Sequence, residues 1–291
     1  MTESEHDIVG LLQGGRYVAA AVLLGLLWAA ESITPMFANH TRRVSHGLAN
    51  IGLAVINGTL AFGFAFGLLY VTEWSRVEAF GLLHRTPLSS LPVWTNWLVA
   101  ILLLDCWQYW WHRINHRVPL FWRFHAVHHA DAEMDATSAV RFHTVEIVFS
   151  FLARMAVLPL LGLTIPQVAL YEAISLPIIL FHHSNIRLPN RVDRLLRWLI
   201  VTPWMHWVHH SRLQPETDSN YASFLSVWDH VSAAFACELN LRKSTSALMA
   251  GRNVNGAAWS ACCWRHSGSG GHSERRTSLR SQARCACGRL A

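Results

Sequence analysis

His112-Arg-Ile-Asn-His116, His125-Ala-Val-His128-His129, His182-His183 and His206-Trp-Val-His209-His210 gather ten imidazoles into short stretches of an otherwise apolar chain. Residues three and four apart on a helix share a face, so His112 and His116 can point at one centre. The two His-x-x-His-His boxes repeat that geometry, His125 with His128 and His129, and His206 with His209 and His210. Together these boxes offer eight nitrogens, and His182 or His183 adds a ninth. That is enough for two ions with positions left open for oxygen. Neutral imidazole suits iron, zinc, copper and nickel, so ligand type alone leaves the metal open. A ligating imidazole donates its other N–H to a carboxylate, carbonyl or water. Asp105, Glu146, Asn185 and Asp229 are the candidates for that supporting role, and His143 is a candidate further ligand. The isolated His6, His40, His46, His84, His230, His266 and His272 read as polar or packing residues.

Apolar runs surround these boxes and must position them. Hydrophobic residues make up 52% of the chain, charged residues only 14%, and the mean hydropathy is +0.23. A soluble domain carries about 25% charged residues, so the composition favours a membrane protein. Tyr17 to Ile33, interrupted by Glu31, is a slightly short span, and the acidic residues before it lack the positive region of a signal peptide. Gly47 to Val71 is a second run, rich in small residues that permit close helix packing. Val93 to Trp111 is a third, running without a breaker into the first box. Val145 to Leu163 and Pro166 to Phe181 form a hairpin between His143 and His182. The expected architecture is an all-α, polytopic bundle of four to five spans carrying a histidine-lined di-metal cap.

This pattern puts the boxes on one side of the membrane. Arg113, Arg117, Arg123, Arg141, Arg187, Arg191, Arg194 and Arg197 crowd that side, so it is expected to be cytoplasmic. From Arg187 to Ile200, apolar residues recur at three and four with arginines between, as in a helix lying on an anionic surface.

The net charge of +6 misleads about partners. Nine basic and two acidic residues lie from Val231 onward, a net +7; the preceding residues hold fifteen and sixteen, a net −1. The body therefore gives no electrostatic case for nucleic acid. Five of the six cysteines also lie in that last part, in no disulfide spacing. The chain divides into anchor helices at 1–90, a catalytic region at 91–230 and a basic tail at 231–291. The tail shows neither helical nor strand period and is expected to be disordered. Its Arg, Ser and Cys content is also what a shifted reading frame would produce.

Several phrases together carry a family resemblance. Tyr109-Trp-Trp-His112-Arg-Ile-Asn-His116, Leu120-Phe-Trp-Arg-Phe-His125-Ala-Val-His128-His129 and Arg141-Phe-His143 come first. His183-Ser-Asn-Ile186, Pro203-Trp-Met-His206-Trp-Val-His209-His210, Asn220-Tyr221 and Trp228-Asp229 follow. In this order the chain resembles the fatty acid hydroxylase/sterol desaturase superfamily of integral membrane di-iron enzymes over residues 90 to 230. The resemblance implies two iron ions (zinc in some purified samples), dioxygen, a lipid substrate entering sideways from the bilayer and a separate electron-donating reductase. It implies hydroxylation or desaturation of that lipid. Ala222 stands where the family usually has Gly, and Val231-Ser-Ala-Ala-Phe replaces a Phe-Gly-Thr-like stretch.

Two other classes use histidine clusters. A zinc hydrolase wants a general base beside a ligand, as in His-Glu-x-x-His, and Arg113 occupies that place. A metal transporter sets its ligands near the bilayer midplane, whereas these boxes gather at the ends of apolar runs.

Overall fold

The computed structural model describes residues 3–37, 42–85 and 87–236. These are helical, with no strand among them beyond the isolated bridges Pro35–Ile186 and Ile200–Leu225. The long helices are α1 (Glu3–Ile33), α2 (Arg43–Val77), α4 (Val93–Arg117), α6 (Thr144–Leu161) and α7 (Ile165–His183). Short ones connect them: α3 (Leu82–Arg85), α5 (Pro119–His129), α8 (Asn190–Leu196), α9 (Pro203–His209), α10 (Gln214–Thr217) and α11 (Val227–Val231).

Among the described residues, three stretches are long and apolar enough to cross a membrane: Arg43–Arg85, which contains α2, and the helices α6 and α7; Val18–Ile33 is a shorter apolar helix. The expected third span, Val93 to Trp111, is helical but does not reach that apolarity. Asn96, Asp105 and Gln108 interrupt it, and the structure gives them partners or places them against neighbouring helices. Large apolar side chains such as Val55, Phe62 and Phe66 face outward on α2, the surface expected of a helix whose solvent is lipid.

α1 packs on α7, α2 on α6, and α4 on both α5 and α7. A core of Leu68, Leu83, Leu104, Leu158 and Tyr171 joins α2, α3, α4, α6 and α7. Prolines set the breaks that matter for the site. Val118 is extended (φ −93°, ψ 115°) ahead of Pro119, which cannot donate a helical hydrogen bond and so opens α5 instead of prolonging α4. The resulting bend folds His125, His128 and His129 back over His112 and His116. Thr202 and Pro203 start α9 in the same manner, the threonine hydroxyl accepting from the Met205 N–H.

Buried polar residues fasten the cap to the bundle. Asp105 accepts from Tyr171 Oη (3.0 Å), Trp228 Nε1 (2.7 Å) and the Leu225 N–H (3.1 Å), tying α4 to α7, to α11 and to the segment before it. Glu31, which the sequence shows only as a charge within an apolar run, accepts from the N–H groups of Ala136 (2.8 Å) and Asn185 (2.9 Å) and pairs with Arg43 (2.7 Å). Residues 231–236 continue the cap: Phe235 packs beside Tyr109 and Tyr221, and the Ala236 N–H binds Asn220 Oδ1. The expectations for the basic tail from residue 237 onward fall outside the described residues.

Between α2 and the α6–α7 turn the backbones touch. Gly81 has φ +108°, and a Cβ there would sit 2.3 Å from the Pro159 carbonyl oxygen and 2.4 Å from the Gly162 nitrogen. Gly81→Ala should therefore cost about 1–3 kcal/mol in backbone strain alone, with further loss as the turns part. A thermal midpoint in detergent equal to that of the unchanged chain would refute this.

Candidate metal centre

The helix breaks described above bring nine imidazoles into two adjoining groups. His112, His116, His125, His129 and His209 offer ring nitrogens that all lie within 4.8 Å of one another, and so do His128, His183, His206 and His210. The groups abut, with the rings of His129 and His210 stacked 4.3 Å apart. Each draws on helices distant in sequence: α4, α5 and α9 for the first, α5, α7 and α9 for the second.

The hydrogen bonds of the outer nitrogens decide what the inner ones can do. His112 Nδ1 donates to the Tyr221 carbonyl at 2.7 Å, and His209 Nδ1 to the Ser219 carbonyl at 2.6 Å. A carbonyl only accepts, so both protons sit on Nδ1 and both Nε2 atoms are bare. These bare nitrogens nevertheless face each other at 3.1 Å. The second group repeats the arrangement: His128 Nδ1 donates to the Arg141 carbonyl, His183 Nδ1 to the Ile179 carbonyl, and their Nε2 atoms stand 3.2 Å apart. Two acceptor lone pairs in that position repel unless a cation lies between them. His125 Nε2 and both nitrogens of His116 and His129 are buried with no hydrogen-bond partner. Orphaned donor sets of this kind are costly in a packed interior and suit a transition-metal ion.

Residues 97–233 match the sequence profile of the family described as fatty acid hydroxylase. Curated relatives agree with that match. Alkylglycerol monooxygenase of Xenopus tropicalis is 29% identical over 67% of this chain and 42% of its own. An ornithine lipid hydroxylase of Rhizobium tropici is 28% identical over 47% of this chain and 41% of its own, and cholesterol 25-hydroxylase of Rattus norvegicus 27% over 61% and 57%. Over that region the chain is similar to the fatty acid hydroxylase/sterol desaturase superfamily. It spans under half the length of the first two of these relatives. No solved structure gives a significant match.

Around these two groups the other candidates take different places. His182 belongs to neither group; its ring lies 4.1 Å from that of His206 and its Nδ1 is buried without a partner. His143 caps α6, its Nδ1 accepting from the Val145 N–H at 3.0 Å. Asn185 clamps the α1–α2 connection through the Phe37 N–H and carbonyl, both at 2.9 Å. Asp105 staples the cap as described. Asp229 accepts from the N–H groups of Tyr221 (2.7 Å) and Ala222 (3.1 Å), so it holds the peptide whose carbonyl orients His112. Burial raises the Asp229 carboxyl to about 7 against the pull of those two N–H donors. Among the described residues, Glu146 alone of the carboxylates meets an imidazole of the two groups at hydrogen-bond distance, 2.7 Å from His125 Nδ1. The carbonyls of Tyr221, Ser219, Arg141 and Ile179 escaped sequence reasoning, because a backbone acceptor has no residue signature.

Burial favours the neutral form of His112, His116, His128, His129, His206, His209 and His210. It pushes His209 down to about 3, the Ser219 carbonyl partly opposing, and burial followed by neighbouring imidazoles holds His128, His129, His206 and His210 well below the usual histidine value. A depressed histidine takes up its proton more readily in the unfolded chain, which titrates near 6.5. The unfolded state therefore binds more protons at acid pH, and stability is lost as pH falls from about 6.5 toward 3. The metal-stripped protein should show an unfolding midpoint that drops steadily across that window; a flat profile would mean that these rings are not neutral.

Proposed function

We propose that the chain is a membrane-embedded oxygenase that holds two ions, iron in the working enzyme, and oxidises a lipid with dioxygen. The facing bare Nε2 atoms in both groups carry this reading, because they ask for a cation in each. His112, His116, His125, His129 and His209 would hold one ion, and His128, His183, His206 and His210 the other; His182 is a reserve nitrogen beside the second. A pair of redox-active ions, when bound, supplies the reductive activation of dioxygen needed to attack an unactivated C–H bond. The chain's own share is to hold neutral nitrogens in fixed tautomers, to keep water out of a cap whose imidazoles are largely buried, and to aim one carbon of the substrate.

The names of the relatives point to alkylglycerols, ornithine lipids and cholesterol as their substrates, and a lipid drawn sideways from the bilayer fits the apolar helices here. Hydroxylation is the preferred outcome on those names; desaturation differs only in a second hydrogen abstraction. The arginine-rich connections favour a cytoplasmic face for the histidine cap, where a separate reductase would deliver electrons. Lipid extracts of cells expressing the chain should contain label from heavy dioxygen, and extracts from cells expressing the His128→Ala/His209→Ala double variant should not. Identical, unlabelled lipids from both would sink the oxygenase reading. Metal analysis alone is a poorer test, since zinc also binds such a nitrogen cage.

A further inference from the structure

Away from the imidazoles, Arg154 on α6 and Glu172 on α7 form an ion pair, Nη1 to Oε1 2.9 Å, with their side chains 26% and 31% exposed. Both lie inside helices long and apolar enough to cross a membrane. Charged side chains at such depth are expensive and mark a site more often than a mere support. The pair borders a cleft between α4, α6 and α7, to which Trp107 and Gln108 contribute polar groups and Leu104 and Leu158 apolar wall. Trp107 Nε1 is buried there with no hydrogen-bond partner. An indole N–H left unpaired in a region without water is a donor waiting for an acceptor. The cleft also has the right position. Gln108 is one helical turn from His112, about 6 Å, and Arg154 stands eight residues from Glu146, about 12 Å along α6.

We propose that this cleft is a lateral subsite for a hydrogen-bonding group of a lipid, an oxygen that accepts from Trp107 or Arg154 and whose own O–H donates to Glu172. It rests on the reading that the substrate is a lipid taken from the bilayer, and it adds that the lipid carries a hydroxyl recognised at this depth. A plain hydrocarbon offers the indole nothing, so it would gain only the apolar wall.

The test uses the full chain in detergent micelles with radiolabelled octadecylglycerol as probe and octadecane as its hydroxyl-free counterpart. Trp107→Phe keeps the ring and removes the donor; it should weaken octadecylglycerol binding about 2- to 10-fold, the worth of one hydrogen bond. Arg154→Met/Glu172→Leu replaces the pair by apolar residues, a change that need not destabilise. It should weaken octadecylglycerol at least as much, leave octadecane binding unchanged and not lower the unfolding midpoint. Undiminished octadecylglycerol binding in both variants would overturn the subsite, as would octadecane binding to the unchanged chain equally well. Loss of both probes together with a lowered midpoint would show the pair to be only a tie between α6 and α7. Binding is read without turnover, so a chain that binds the probe but oxidises no lipid would defeat the oxygenase reading and not this one.

Discussion

Removing His112 and His209 together should empty one ion site and leave the other filled, and removing His183 and His206 together should do the reverse. The expectation follows from the division of the imidazoles. His112 and His209 supply the facing pair of the first group, and His183 and His206 supply two of the four nitrogens of the second. In each double alanine variant the bound metal should fall from two ions per chain to one. Loss of partners that merely orient ligands costs about 10–100-fold in affinity or activity. Loss of the ligands themselves should exceed that, so lipid oxidation should drop more than about 100-fold in both variants. Far-ultraviolet circular dichroism separates this from unfolding: helicity should persist, because α4, α7 and α9 also pack through Leu104, Tyr171 and Met205. A variant that keeps both ions, or loses both while remaining helical, would contradict a cage divided into two groups.

The imidazole groups were legible in the sequence because a helical repeat leaves a spacing signature. His112 with His116, and the two His-x-x-His-His boxes, share faces on single helices, and those faces meet. His182 was less legible. Adjacent residues on a helix point in different directions, so of His182 and His183 only one could join the second group, and the spacing does not say which. The supporting residues were harder again. Asn185 and Asp229 sit within motifs that contain ligands, yet each serves backbone groups: Asn185 grips Phe37, and Asp229 grips Tyr221 and Ala222. The unusual Ala222 leaves that second clamp intact, since it is the N–H that Asp229 binds; the left-handed residue of this turn is Asn220, φ +51°, a residue type that tolerates such a backbone. Glu31 read as an interruption of an apolar run because its partners, Asn185 and Ala136, lie more than a hundred residues away. Apolar length alone marked the helices α2, α6 and α7; α4 falls short of that apolarity because it carries Asn96, Asp105 and Gln108, and only the fold shows the partners that Asn96 and Asp105 find in the bundle.

Glu146 provides the second large effect, and the reason is that it stands apart from its counterparts. Five of the grouped imidazoles have their Nδ1 atoms anchored: those of His112, His128, His183 and His209 by backbone carbonyls, and that of His125 by the Glu146 carboxylate. A carbonyl cannot be removed by substitution, so Glu146 is the one anchor a side-chain change can test. Glu146→Gln retains an acceptor but loses the stronger hydrogen bond of an ionised group, whereas Glu146→Ala leaves His125 Nδ1 unanchored in a buried site. Metal affinity of the first group should weaken about 10-fold in the glutamine variant and toward 100-fold in the alanine variant, with the second group unaffected. Glu146 also lies in the first turn of α6, where a negative charge favours the helix by about 0.3–1 kcal/mol. That contribution is lost equally in both variants, so a merely structural role would make them behave alike. Graded metal titrations that separate Gln from Ala would establish Glu146 as the residue that sets His125; superimposable titrations would reduce it to a helix-terminal charge.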